Sequence, residues 1–197
     1  MKKFIAFIGF VVIFTACDVV QQLAGAYNMT QCQFDYKSIS GLTVDGINLS
    51  NVNSISSLNP LTLAKLITAF SSPSGTLPLG FTLNLNVKNP NPQQALLNGL
   101  SYILEIDGLE MTNGVIQQQI EVAGNGSSVL PLNLGFDVKK LAGNQSMETL
   151  KNLIFNFAGI GGNPSNVTFR IKPNFTIGGN TFSVPSYIPV TFTLNKK

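Results

Sequence analysis

The chain has 197 residues, of which 44% are hydrophobic and only 11% charged, with two cysteines, no histidine and a formal net charge of +3. The missing histidine excludes Ser-His-Asp and Cys-His nucleophilic sites and His-based zinc sites, and removes the usual general base near neutral pH. Two cysteines are too few for a thiolate zinc or iron–sulfur site within one chain.

Met1-Lys2-Lys3 opens the chain, and an uncharged, mostly apolar run follows from Phe4 to Ala16. A basic start, a short apolar core and small residues before a cut form a secretory signal pattern. The run is shorter than the roughly 20 residues of an ordinary membrane span. Cys17 comes next, and "IFTAC" resembles a bacterial lipobox, with Phe14 where Leu is more usual. That resemblance implies removal of a signal peptide, residues 1–16, and a diacylglyceryl group on Cys17, which becomes the new N-terminus. The alternative is a plain exported protein in which Cys17 is incidental. A Cys17–Cys32 bridge would then close a small loop and stabilise little beyond it. Cys32 reads as a small packed residue without chemistry.

Loss of Lys2 and Lys3 leaves ten basic against nine acidic side chains. No basic stripe survives, so nucleic acid is not an expected partner. Asparagine, with 21 copies, supplies much of a neutral-polar surface, which stays hydrated with little net field.

Residues 17–31 are expected to be the lipidated Cys and a tether, because "DVVQQLAGAYNMTQ" shows no sustained periodicity. One domain is expected over 32–197, long enough for a sizeable core. Period-2 alternation, the mark of half-buried strands, recurs in it. Phe81, Leu83, Leu85 and Val87 alternate with polar residues, as do Leu130 to Phe136, Val167 to Ile171 and Val190 to Leu194. Further strands are expected at 34–39, 42–49, 100–106, 115–122 and 174–178, with Pro131 on an edge or at a bulge. Asp107-Gly108, Asn113-Gly114, Gly124-Asn125-Gly126 and Gly178-Gly179-Asn180 read as turns. Two helices interrupt the pattern. One has Asn59 as N-cap, Pro60 in its first turn and a stripe of Leu63, Leu66, Ile67 and Phe70. The other has Ser146 as cap, a stripe of Leu150, Leu153, Ile154 and Phe157, and Gly159 as its stop.

"LNLNVKNPNP", then "LNGLSYILEIDG", then "TNGVIQQQIEVAGNGSSVLPLNLGFDV" form an ordered set. It resembles the type-2 late embryogenesis abundant family, also called the water stress and hypersensitive response domain. Asn89-Pro90-Asn91, Tyr102 and Gly114 occupy the places of that family's motif, over a match of about 32–195. The resemblance implies a mainly β fold: an immunoglobulin- or fibronectin-like antiparallel β-sandwich with one or two accessory amphipathic helices and no catalytic residues. It also implies an association with protection from drying and cold. Physically, Asn-Pro-Asn-Pro reads as a strand terminator, since proline cannot donate and the residue before it avoids helical geometry.

No catalytic residue, metal site or cofactor is expected. Glu105, Asp107 and Glu110 are the remaining carboxylates with a spacing suited to glycoside hydrolysis, and a solvent-facing strand edge explains them with less. The expected protein is a stress-protective lipoprotein of the cell envelope, membrane-bound through its N-terminal lipid, with the outer membrane preferred over the inner. An envelope protein-interaction module recruiting a partner by strand addition is one alternative. Another is a lipid or apolar-ligand carrier, with Phe155, Phe157 and Phe175 lining a cavity.

Overall fold

The structure, a computed structural model, describes residues 19–52, 54–72, 75–141 and 146–194. The expected signal peptide and Cys17 lie outside the described residues.

Two antiparallel sheets pack into a sandwich around one continuous apolar core. In the first, β3 (Pro78–Lys88) runs between β1 (Gln33–Val44) and β8 (Ser127–Asp137), and β2 (Ile47–Asn48) pairs with the far end of β1. Alternation places Phe81, Leu83, Leu85 and Val87 in the core beside Leu130, Leu132 and Leu134. Each fully buried leucine of these rows contributes about 1.5–3 kcal/mol. Pro131 lies on β8, an edge strand, where a missing donor is tolerated.

In the second sheet, β5 (Gly99–Ile106) lies between β6 (Leu109–Ile116) and β9 (Ser165–Ile177). The other edge of β9 carries β10 (Asn180–Ser183) beside its end and β11 (Ile188–Leu194) beside its start. A short pair, β4 (Ala95–Leu97) with β7 (Ile120–Val122), closes one end. Tyr36 of β1 stacks on Phe192 of β11 with centroids 3.9 Å apart, joining the two sheets at one border.

Both expected helices form. Asn59 accepts from the Thr62 amide at the start of the helix Pro60–Ser71. Ser146 does the same for Thr149 at the start of the helix Met147–Phe157. The Phe157 ring meets Phe81 edge-on at 5.0 Å, and Phe155 meets Phe70 at 5.8 Å. The second helix is thus wedged between the first sheet and the first helix. Leu66 and Phe70 are buried as expected, but Ile67 points outward.

The structure departs from the sequence reading in five further places. Residues 19–30, read as a tether, are helical and packed on the domain. This helix is α1, Pro60–Ser71 is α2 and Met147–Phe157 is α3. Asn113-Gly114 is no turn: it lies inside β6, opposite Ile103 and Tyr102. The strands expected at 34–39 and 42–49 are one bulged strand, β1, followed by a hairpin at Asp45-Gly46. The strand expected at 115–122 is broken at 117–119, whereas the one expected at 174–178 continues β9 through Pro173. Pro173 falls opposite the break between β10 and β11, where a ladder tolerates a residue without an N–H.

Candidate functional site

The corner at which β3 ends is a closed polar network. Asn89 is fully buried. Its Nδ2 donates to the carbonyls of Gln93, Val122 and Ala123 at 2.8, 3.1 and 3.2 Å. Its Oδ1 accepts from the backbone N–H and the side-chain amide of Asn91, both at 3.0 Å. The Asn89 N–H reaches Gly126 O, and Asn125 N–H reaches Asn91 O. Pro90 and Pro92 bring no donors, so the chain turns without leaving an amide to be satisfied.

Gly124 is required for this closure: a Cβ there would lie 2.0 Å from the Pro92 carbonyl oxygen. Helix α1 completes the corner. Asn28 Nδ2 donates to Gln94 O at 2.9 Å, while Asn28 O accepts from Asn91 Nδ2 at 3.2 Å and from Cys32 Sγ at 3.5 Å. These bonds use the amide of Asn89 fully and tie three separate segments together. Asn28 was not singled out from the sequence, and Gly124 was read only as part of a turn, because their partners lie far along the chain.

Tyr102 and Gly114 are cross-strand partners. A Cβ on Gly114 would come within 3.2 Å of the Tyr102 ring and hydroxyl, so the glycine makes room for a ring lying across the neighbouring strand. That ring stacks on Phe169 at 5.6 Å.

Glu105 and Glu110 are cross-strand partners, but each of the three carboxylates is engaged by a different neighbour. Glu105 pairs with Arg170 at 3.1 Å. Asp107 accepts from the Asn166 N–H at 2.8 Å, and Glu110 accepts from Asn113 Nδ2 at 2.7 Å. Cys32 is buried, and burial pushes its thiol up to about 11. A thiol so placed is a poor nucleophile at neutral pH. Among the described residues there is no cluster of three or more Cys, Asp or Glu suited to a metal ion. No described helix is long and apolar enough to cross a membrane.

Phe155 and Phe157 line different spaces among the described residues. Phe155 lines a groove of about 460 Å³ between α2 and α3, with Leu63, Leu66, Ile67 and Phe70. Phe157 borders a smaller space of about 100 Å³ with Tyr36, Leu42 and Leu194. Phe175 is packed in the core.

The sequence model of a family described as "Late embryogenesis abundant protein" matches residues 84–187. That span holds Asn89-Pro90-Asn91, Tyr102 and Gly114. Among solved structures, a protein from Archaeoglobus fulgidus is 16% identical, with 64% of this chain and 91% of that one covered and a TM-score of 0.39. A protein from Arabidopsis thaliana is 12% identical, with coverages of 59% and 70% and a TM-score of 0.40. A putative late embryogenesis abundant protein is 14% identical, with coverages of 98% and 83% and a TM-score of 0.38. Among curated proteins none matches.

Proposed function

This chain belongs to the late embryogenesis abundant family of the second type, and from that premise we propose a non-enzymatic, stress-protective domain held on the cell envelope by lipid on Cys17. The supporting observation is the outward face of the first sheet. Ser38, Ser40, Thr82, Asn84 and Asn133 form its centre and are linked side chain to side chain. Thr82 donates to Asn133 at 2.8 Å, and Asn84 donates to Ser38 and Ser40 at 3.1 and 3.2 Å. Lys37, exposed at the bulge between Tyr36 and Ser38, borders this centre, and Asp35 and Lys88 stand toward one end of it. An array dominated by amides and hydroxyls, bordered by charges of both signs, stays hydrated with little net field. In the proposed role it keeps a hydrated layer beside membrane and protein surfaces as bulk water is lost.

The anchor and the secretory signal rest on Met1-Lys2-Lys3, the apolar run to Ala16 and "IFTAC"; the outer membrane is the proposed location. A drying-sensitive enzyme is to be dried with the chain from Asp18 onward, which retains α1, or with equal mass of an unrelated β-sandwich. Residual activity above that control is the expected result, and parity with the control sinks the protective role. Mass measurement of the N-terminal peptide from membranes of the producing cell reads the anchor separately.

A second reading, apolar-ligand binding, rests on the groove between α2 and α3. A fluorescent fatty acid displaced by Phe155→Ala in that groove would favour it, and indifference to the substitution would end it.

A further inference from the structure

Helix α1 has one side buried against the domain and another exposed. Its inner side holds Gly25, Ala26, Asn28 and Met29, all buried. A Cβ on Gly25 would meet the Leu96 side chain at 2.7 Å, and Gln22 Oε1 accepts from the Gly178 N–H at 3.1 Å. The helix is therefore fixed to the domain along its length. Its outer side carries Val19, Val20, Leu23 and Tyr27, exposed by 40, 65, 56 and 63%. With 3.6 residues per turn these four fall within an arc of about 100°. No residue from 19 to 30 is charged.

Four of the eleven large apolar side chains exposed among the described residues thus sit on one helix face. Singly scattered apolar residues need no explanation, but a contiguous stripe marks a surface that meets something.

The position of that stripe in the chain identifies what it meets. Cys17 is two residues before Val19, a stretch that spans at most about 7 Å when fully extended. With α1 docked, no tether remains to lift the domain from the surface that holds Cys17. We infer that the outer face of α1 lies in the lipid interface of the anchoring membrane, so that acyl group and helix make one continuous attachment and fix the orientation of the domain. The inference rests on the lipidation of Cys17 proposed above.

An uncharged helix with a tyrosine near its far end loses no ion hydration on entering the headgroup region, and tyrosine is at home there. This differs from the usual interfacial helix, whose basic polar face faces water. Here the second face is already buried in protein. The attachment is accordingly expected to be insensitive to salt.

The chain has no tryptophan, so Leu23→Trp supplies the only indole. The full chain carrying it is reconstituted into phosphatidylcholine–phosphatidylglycerol vesicles, with and without bromine near the headgroup end of the acyl chains. The expected result is a blue-shifted emission that loses at least about half its intensity in brominated vesicles, as for a ring about 5–10 Å into the interface. Ile67→Trp, at a position 57% exposed on α2, is expected to keep its emission. Tyr27→Trp repeats the reading should Leu23→Trp fold poorly.

Emission of a water-exposed indole at both α1 positions overturns the inference. So does a blue shift indifferent to bromine, which assigns the face to a second copy of the chain, or equal quenching at Ile67→Trp. The mass of the N-terminal peptide reads lipidation independently. If Cys17 carries no lipid, the anchor proposal fails, and docking is still read by coupling Cys17 to vesicles bearing a maleimide headgroup. Cys32, buried with its thiol raised to about 11, does not compete.

Discussion

Asn89→Asp tests whether the corner after β3 is held by the amide of one side chain. The substitution keeps the shape and the acceptor that serves Asn91, but replaces the –NH2 group by a second oxygen. The two hydrogens of Nδ2 serve the carbonyls of Gln93, Val122 and Ala123, so two hydrogen bonds are lost and three carbonyl oxygens face an anion. An unsatisfied buried polar group costs about 1–3 kcal/mol, which gives a loss of about 2–6 kcal/mol. A domain of this size has about 5–15 kcal/mol in total. With a urea dependence of about 2 kcal/mol per molar, the midpoint falls by about 1–3 M. Far-UV circular dichroism is the readout, since the chain lacks tryptophan.

The pH dependence has a definite sign. Burial among carbonyls raises the introduced carboxyl above the usual carboxylate range in the folded state. The native state then binds the extra proton, and the protonated group donates one hydrogen bond again. Stability tied to that proton is present in full below the unfolded pKa, about 3.9, and is lost as pH rises through the folded one. The deficit relative to the parent is therefore largest at neutral pH and smallest in acid. Asn133→Asp, exposed and retaining its acceptor for Thr82, is the control. A neutral-pH shift for Asn89→Asp no larger than that of the control would refute the reasoning.

Other consequences are direct. Gly124→Ala places a Cβ 2.0 Å from the Pro92 carbonyl oxygen and is expected to cost about 3 kcal/mol or more, as overpacking against backbone does; Gly162→Ala, with nothing within 4 Å, is expected to be tolerated in the same thermal melt. Arg170→Gln breaks a partly exposed pair with Glu105 and is expected to cost less than about 1 kcal/mol, a limit that urea unfolding checks. Cys32 is expected to resist a thiol reagent in the native state and react on unfolding. Because its thiol is raised from 9.0 to about 11 in the fold, the associated stability is intact below pH 9 and declines between pH 9 and 11; Cys32→Ala should remove that part of the alkaline slope.

The strands and caps were legible because they depend on near neighbours. Phe81 to Val87 alternate because successive side chains of an extended chain point to opposite faces, and burial of one face selects the pattern. Asn59 and Ser146 begin helices because each side chain reaches an amide three residues on. Asn-Pro-Asn-Pro ends a strand through missing donors, a property of the residues themselves. The motif also marked a corner, although what Asn89 binds there was not legible: Val122 and Ala123 are more than thirty residues away.

The tertiary structure alone decided the rest. Gly114 reads as a turn until Tyr102 is placed opposite it, because the space a missing Cβ leaves has meaning only once a neighbour fills it. Helix α1 gave no recognisable period, since apart from Met29 its inward residues are small or polar while its outward ones are largely apolar. Its binding to the domain depends on Asn28 meeting Gln94 and Asn91, 66 and 63 residues along the chain. Local energies are carried by adjacent residues and can be read in order. Contacts between distant segments exist only after the core has brought them together, and those contacts turn the stretch after Cys17 from a tether into the surface that faces the membrane in the proposed attachment.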